Sequence, residues 1–303
     1  MKKLLTLSLF TLGISHAATL ELSSGFGVKS SRSSFLLGVN VSGLDWIPQH
    51  DLALGVSLRK LEANLSRSLS GGPLGYGEAE LGAELGYGGG FLLRSRVSGT
   101  LGPFALSAKL EGWNTPRASL NPFSTLILEP ESTRSADYKA ELSGRYRLER
   151  TTFLNVLGRL GADSRLEVGV QRQTEEFELR AGGTLGGASQ GDLFAVTGGI
   201  STRNNENLTL SLDGLLGLNG NEAAYGVRGR ATLYGALPLE SDLNLYAAFE
   251  PWRRDSEALR YGLTTSTSLV AGILPAGTLN LELAGSGNVT VARVRFALEL
   301  GGE

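Results

Sequence analysis

Residues 77–99 read GEAELGAELGYGGGFLLRSRVSG, two alternating runs on either side of three consecutive glycines. In the first run Ala79, Leu81, Ala83, Leu85 and Tyr87 take odd positions, with Glu78, Glu80 and Glu84 at even ones. In the second, Phe91, Leu93 and Val97 alternate with Arg94, Arg96 and Ser98. Successive side chains of a strand point to opposite faces, so each run is a ribbon with one apolar and one charged face. Gly88, Gly89 and Gly90 accept the positive φ of a tight hairpin and join the two ribbons. Soluble sandwiches and membrane barrels are both built from such ribbons, so what the apolar face touches has to be read from the rest of the chain.

The N-terminus narrows the choice. Lys2 and Lys3 precede the apolar run Leu4 to Ile14, and Ser15-His16-Ala17 places small residues at the −3 and −1 positions of a cleavage site. Residues 1–17 therefore read as a secretory signal peptide, with the mature chain expected to begin at Ala18. Removing Lys2 and Lys3 takes 28 basic and 30 acidic residues to 26 and 30, a mature net charge of −4, which argues against nucleic acid as a partner. With no cysteine in the chain there is no disulfide framework, thiolate metal site or lipidated N-terminal cysteine. Nothing after residue 17 approaches the roughly 18 continuous apolar residues of a spanning helix, so entry into a bilayer would have to use strands.

Alternation recurs to the C-terminus. Leu20, Leu22, Phe26 and Val28 form one apolar row, Phe35, Leu37, Val39 and Val41 a second, and Leu52, Leu54, Val56 and Leu58 a third. At Leu61 the parity flips, which places a tight turn near Arg59-Lys60. Further ribbons run over about 104–113, 137–149, 152–161, 165–173, 176–186, 192–202, 208–218, 224–235, 242–250, 259–271, 278–285 and 289–300, most of them divided by Gly, Asn, Asp, Ser or Pro clusters. The expectation is one all-β domain over 18–303, of about 16–18 strands.

Two features favour a membrane barrel. The ribbons are about ten residues long, the spanning value, where globular strands run about five or six. On the apolar parity, Phe26, Phe35, Tyr87, Phe91, Tyr138, Phe194, Tyr225, Phe249 and Tyr261 fall near one end of their strands, and Phe104, Tyr146, Phe177 and Phe296 near the other. Aromatic belts on either side of an aliphatic band suit the two interfaces of a bilayer. In this pattern the chain resembles the bacterial outer-membrane β-barrel proteins, porin-like, over essentially all of residues 18–303. It departs from them at the C-terminus, where Phe296-Ala297-Leu298-Glu299-Leu300 is followed by Gly301-Gly302-Glu303 rather than a closing aromatic residue. The resemblance implies an antiparallel transmembrane barrel in the outer membrane. Its partners would be the lipid bilayer and small hydrophilic solutes, with a homo-oligomer possible in principle and no cofactor.

The parity opposite the apolar one would then face inward. It carries Glu84, Arg94, Arg96, Glu141, Arg145, Arg159, Glu167, Arg180, Arg228 and Arg230 as candidate pore-lining residues. Centring the glycine hairpin on Gly89 brings Glu84 opposite Arg94. Centring later hairpins on Arg150 and Asp163 brings Arg159 opposite both Glu141 and Glu167. Such pairs either support a wet wall or filter solutes, and the two roles are compatible. Enzyme signatures are nearly absent: His50 is the one histidine outside the leader, so neither a multi-histidine metal site nor a catalytic constellation is expected.

Residues 114–136, NTPRASLNPFSTLILEPESTRSA, form the one long connection. Pro116, Pro122 and Pro130 oppose regular structure, and Arg117, Glu129, Glu131 and Arg134 offer charges of both signs to a constriction. A rim loop lying outside the lumen fits the same residues. The resulting functional expectation is a passive diffusion channel. Its alternatives are a structural or adhesion barrel with a closed lumen, and a soluble secreted or periplasmic all-β binding protein.

Overall fold

The structure, a computed structural model, describes the chain except for residues 1–17, 30–31, 45, 71–74, 122–134, 163, 188–191, 204, 238–240, 254–256, 270–275, 288 and 301–303. Eighteen strands follow one another in chain order. They are β1 (Ala18–Lys29), β2 (Arg32–Leu44), β3 (Asp51–Ser57), β4 (Lys60–Ser70), β5 (Tyr76–Gly86), β6 (Phe91–Leu101), β7 (Phe104–Trp113), β8 (Asp137–Glu149) and β9 (Thr152–Gly161). The second half holds β10 (Ser164–Gln173), β11 (Phe177–Gly187), β12 (Leu193–Thr202), β13 (Leu208–Asn219), β14 (Glu222–Leu237), β15 (Ser241–Phe249), β16 (Leu259–Leu269), β17 (Gly277–Ser286) and β18 (Val289–Leu300). Among the described residues the one helix is α1, Arg117–Leu120.

Every strand pairs antiparallel with its chain neighbours, and β1 pairs with β18 from Ala18↔Leu300 to Lys29↔Val289. That last pairing closes the sheet into a barrel and leaves no unpaired edge. The turns that follow odd-numbered strands cluster at one end, here the top; the remaining turns lie at the bottom with Ala18 and Leu300.

The parity flip near Leu61 is a turn, and one side chain makes it. Ser57 Oγ accepts the backbone N–H of both Arg59 and Lys60 at 3.2 Å, turning the chain before β4 begins. The apolar parity lies on the outside. Leu81, Leu142, Leu160, Val196, Leu212 and Leu216 are all more than half exposed, and residues beside them in sequence point into the barrel. The aromatic belts meet across strands: Phe26 is in register with Phe35 at the top, and Phe104 with Tyr146 at the bottom, their ring centroids 4.5 Å apart.

Two expected pairings differ. The glycine hairpin is centred on Gly88, so Glu84 faces Leu92 and Arg94 faces Gly82. Gly86 N donates to Gly90 O at 2.7 Å and Gly89 takes the positive φ of 83°, a choice that three adjacent glycines leave open in the sequence. Arg159 does face Glu141, but its other neighbour is Arg165 rather than Glu167. There Gly161, at φ 97°, turns the chain early and Ala162 N donates to Tyr138 O at 2.8 Å.

Candidate functional site

The inner face of the barrel is a wall of alternate side chains, and its packing follows from curvature. Inside a closed sheet the space is smaller than outside, so a long side chain needs a small residue beside it. Gly82 lies in register between Asn64 and Arg94, and a Cβ there would sit 2.5 Å from Arg94 Nε. Gly199 lies between Arg180 and Asp213, and a Cβ there would sit 2.1 Å from Asp213 Oδ1. Gly262 makes the same room for Tyr246.

Over these sockets the charges form ion-paired groups. On β4–β6, Glu84 receives Lys60 Nζ at 2.7 Å and Arg94 Nη1 at 3.2 Å, the latter diagonally across the hairpin. Arg94 also donates to Asn64 Oδ1 at 2.9 Å. On β7–β9, Glu141 holds Arg159 at 2.8 Å, Lys109 at 3.5 Å and Lys139 at 3.9 Å. Glu167 is paired along its own strand with Arg165 at 2.8 Å. On β11–β14, Arg180 bridges Glu178 at 2.8 Å and Asp213 at 2.9 Å, and Arg228 approaches Asp213 at 3.8 Å. Arg145 lies over the Phe153 ring at 3.8 Å from its centroid. Arg96 is in register with Glu80 and Lys109, and Arg230 with Ser211 and Tyr246.

These side chains surround open space. A cavity of about 730 Å³ inside the barrel is lined by Arg145, Arg159, Arg165, Glu167, Arg180, Asp213 and Arg228, together with glycines and hydroxyls. Glu84, Arg94 and Arg96 stand on strands eight or nine places round the ring from Arg228, across the interior from it.

At the top, two connections turn into the barrel. Residues 114–121 run inward with Leu120 buried on Leu92, Trp113 and Ala162. Asn114 is clipped to β6 by its Oδ1, which accepts Phe91 N at 2.6 Å. Of the candidate constriction charges, Arg117 is described in backbone only, and Glu129, Glu131 and Arg134 lie outside the described residues. The second connection was not legible as a site. Glu250, Pro251, Trp252 and Arg253 form a tight turn after β15 that folds sideways over the inner face of β12–β14, with Trp252 packed on Leu193, Ala195 and Ala224. Its residues carry no periodicity, and Pro251 in a turn after a strand is the one signal available.

His50 Nδ1 sits 2.8 Å from Pro48 O in a bottom turn, and among the described residues there is no group of three or more His, Cys, Asp or Glu placed for a metal.

A closed ring of eighteen antiparallel strands with its polar parity inside identifies the architecture. It is the porin fold. A Rhodopseudomonas blastica porin variant superposes with a TM-score of 0.52 at 14% identity, covering 94% of this chain and 99% of that one. Pseudomonas aeruginosa OccK10 superposes at 0.55 with 11% identity, covering 94% and 98%, and OccK3 of the same organism at 0.58 with 11% identity, covering 94% and 95%. No protein-family model matches the sequence, and no curated protein does.

Proposed function

We propose that this porin-fold chain is an outer-membrane channel through which small hydrophilic solutes diffuse passively. The carrying observation is the pairing of a continuous apolar outer face with a charged, cavity-enclosing inner face in one closed barrel. Exposed aliphatic side chains on every side of a molecule are unfavourable in water and favourable against lipid tails, which argues against a soluble binding protein. The polar face then has only the interior left to line, and barrels of 16–18 strands are wide enough to hold water there. In this reading residues 1–17 direct export and are removed, the bilayer is the principal partner, and the wall from Glu84 to Arg230 is what solutes meet. The porins and OccK proteins with this fold support the same reading.

The presence of both signs of charge along the wall predicts weak ion selectivity that fades as salt screens the wall, over a Debye length of about 10 Å at 0.1 M. The reading is tested by purifying the mature chain in detergent, confirming heat-modifiable gel mobility, and recording single-channel current in planar bilayers. Discrete ohmic steps are expected. A folded barrel that never conducts would instead favour a structural role with a closed lumen, a reading that the inward-turned segments at the top make specific.

A further inference from the structure

The Glu250–Arg253 turn occupies space that an open barrel would leave to solvent. Its parts are buried although they come from a connection: Trp252 is 5% exposed, Glu250 6% and Arg253 7%. Ion pairs, a hydrogen bond and ring packing hold it. The Glu250 carboxylate accepts Arg253 Nε at 2.9 Å and is bonded by the guanidinium of Arg260, a side chain 0% exposed at the start of β16. Asn219 Nδ2, at the top of β13, donates to Trp252 O at 3.3 Å. The Trp252 ring fills the dip between β12 and β14, where Gly226 leaves a gap: a Cβ on Gly226 would stand 3.0 Å from Trp252 Nε1 and 3.1 Å from Glu250 Cγ.

This is more apparatus than closing a hairpin requires. A tight turn needs neither a buried carboxylate clasped by two guanidiniums nor an indole keyed into a neighbouring strand pair. Among the described residues the indole N–H meets no acceptor, so the ring is held there by shape at a polar cost. The turn also lines the same internal cavity as Arg145, Arg180 and Arg228. The inner face that it covers, β12–β14, lies five to seven places of eighteen round the ring from β7, whose top connection sends Leu120 inward. The two segments therefore narrow the top of the barrel from different parts of the wall.

We propose that the Glu250–Arg253 turn is a fixed ledge at the outer mouth that sets the size limit for passing solutes, with Trp252 as its specificity-determining residue. The inference rests on the channel reading and adds an element to it. A rigid ledge, rather than a swinging lid, follows from the buried ion pairs: moving it would break the Glu250–Arg260 pair inside the wall.

Two variants of the full mature chain test this in opposite directions, each checked for heat-modifiable mobility and recorded in planar bilayers with polyethylene glycols of graded size as the exclusion probe. Trp252→Ala shrinks the ledge, so single-channel conductance rises by about 1.5-fold or more and larger polymers enter, because current follows the narrowest section. Gly226→Val fills the gap beneath the ledge and pushes it into the lumen, so conductance and the polymer limit fall. Unchanged conductance and polymer limit in both folded variants would overturn the ledge while leaving the channel intact. A silent wild type that Trp252→Ala opens keeps the ledge and overturns the open-channel reading. Silence in all three overturns both.

Discussion

Glu84 bears on the inner wall differently from the carboxylates that precede it on the same strand. Glu78 is exposed, whereas Glu84 is buried between Lys60 and Arg94, which reach it from β4 and β6. Removing Glu84 takes away the carboxylate that Lys60 and Arg94 share, leaving Glu62 beside Lys60, and Asn64 and the register partner Glu111 beside Arg94. Glu84→Ala is expected to lower barrel stability by about 1–3 kcal/mol, the range for stranding partly buried partners. Glu78→Ala should stay within about 0.5 kcal/mol. Urea titration of the folded gel band compares the two, and equal losses would remove Glu84 from its bridging role. Adjacent glycines give a second residue-scale contrast. Gly199→Val drives a side chain into Asp213 and Arg180 and should cost about 1–3 kcal/mol, as overpacking does. Gly198 faces outward with its nearest neighbour 3.9 Å from a new Cβ, so Gly198→Val should change stability by less than about 0.5 kcal/mol. A reversed order would mean that the two faces have been exchanged.

At the scale of one strand, face decides what a charge costs. Val196 points out of β12 and is 59% exposed, while Thr197 beside it lines the internal cavity. In a bilayer, Val196→Arg should reduce folding into lipid vesicles by about 2–4 kcal/mol, with Thr197→Arg nearly neutral. Equal penalties measured in vesicles would contradict the lipid-facing assignment. The strands themselves were readable because each has about ten positions of period two, and a one-residue error would turn every side chain to the wrong face. Pairing across a turn was less readable. Slipping two strands by two residues preserves both faces, so parity could not tell Glu84 opposite Arg94 from Gly82 opposite Arg94. What chose between them was the backbone of the turn, the positive φ at Gly89 and at Gly161, together with the room that Gly82 leaves for a guanidinium.

For the whole molecule the decisive contact is the β1–β18 seam, made by residues 260 to 282 positions apart in the chain, from Lys29↔Val289 to Ala18↔Leu300. Because the native chain contains no cysteine, the seam can be probed cleanly. Thr19 and Glu299 are register partners on the inner face. A Thr19→Cys, Glu299→Cys pair should oxidise in the folded protein and shift the heat-denatured band, since the chain becomes a covalent ring. The pair Thr19→Cys with Ala297→Cys is offset diagonally by two residues, about 7–8 Å, and should oxidise poorly. Equal cross-linking of both pairs would indicate a loose or shifted seam.

Taken alone, the order of residues was enough to determine the all-β class, the strand boundaries to within a few residues, the inward and outward rows, and the two aromatic belts. All of these are local consequences of alternation, propensity and turn chemistry. Closure, register and the wall's ion pairs were decided by the tertiary structure, because they depend on strands that the sequence places far apart or pairs ambiguously. The same holds for Trp252: a tryptophan in an aperiodic turn has no face until the barrel supplies one. Only when β12, β13 and β14 lie side by side do Leu193, Ala195, Ala224 and Gly226 form the hollow that draws the ring inward.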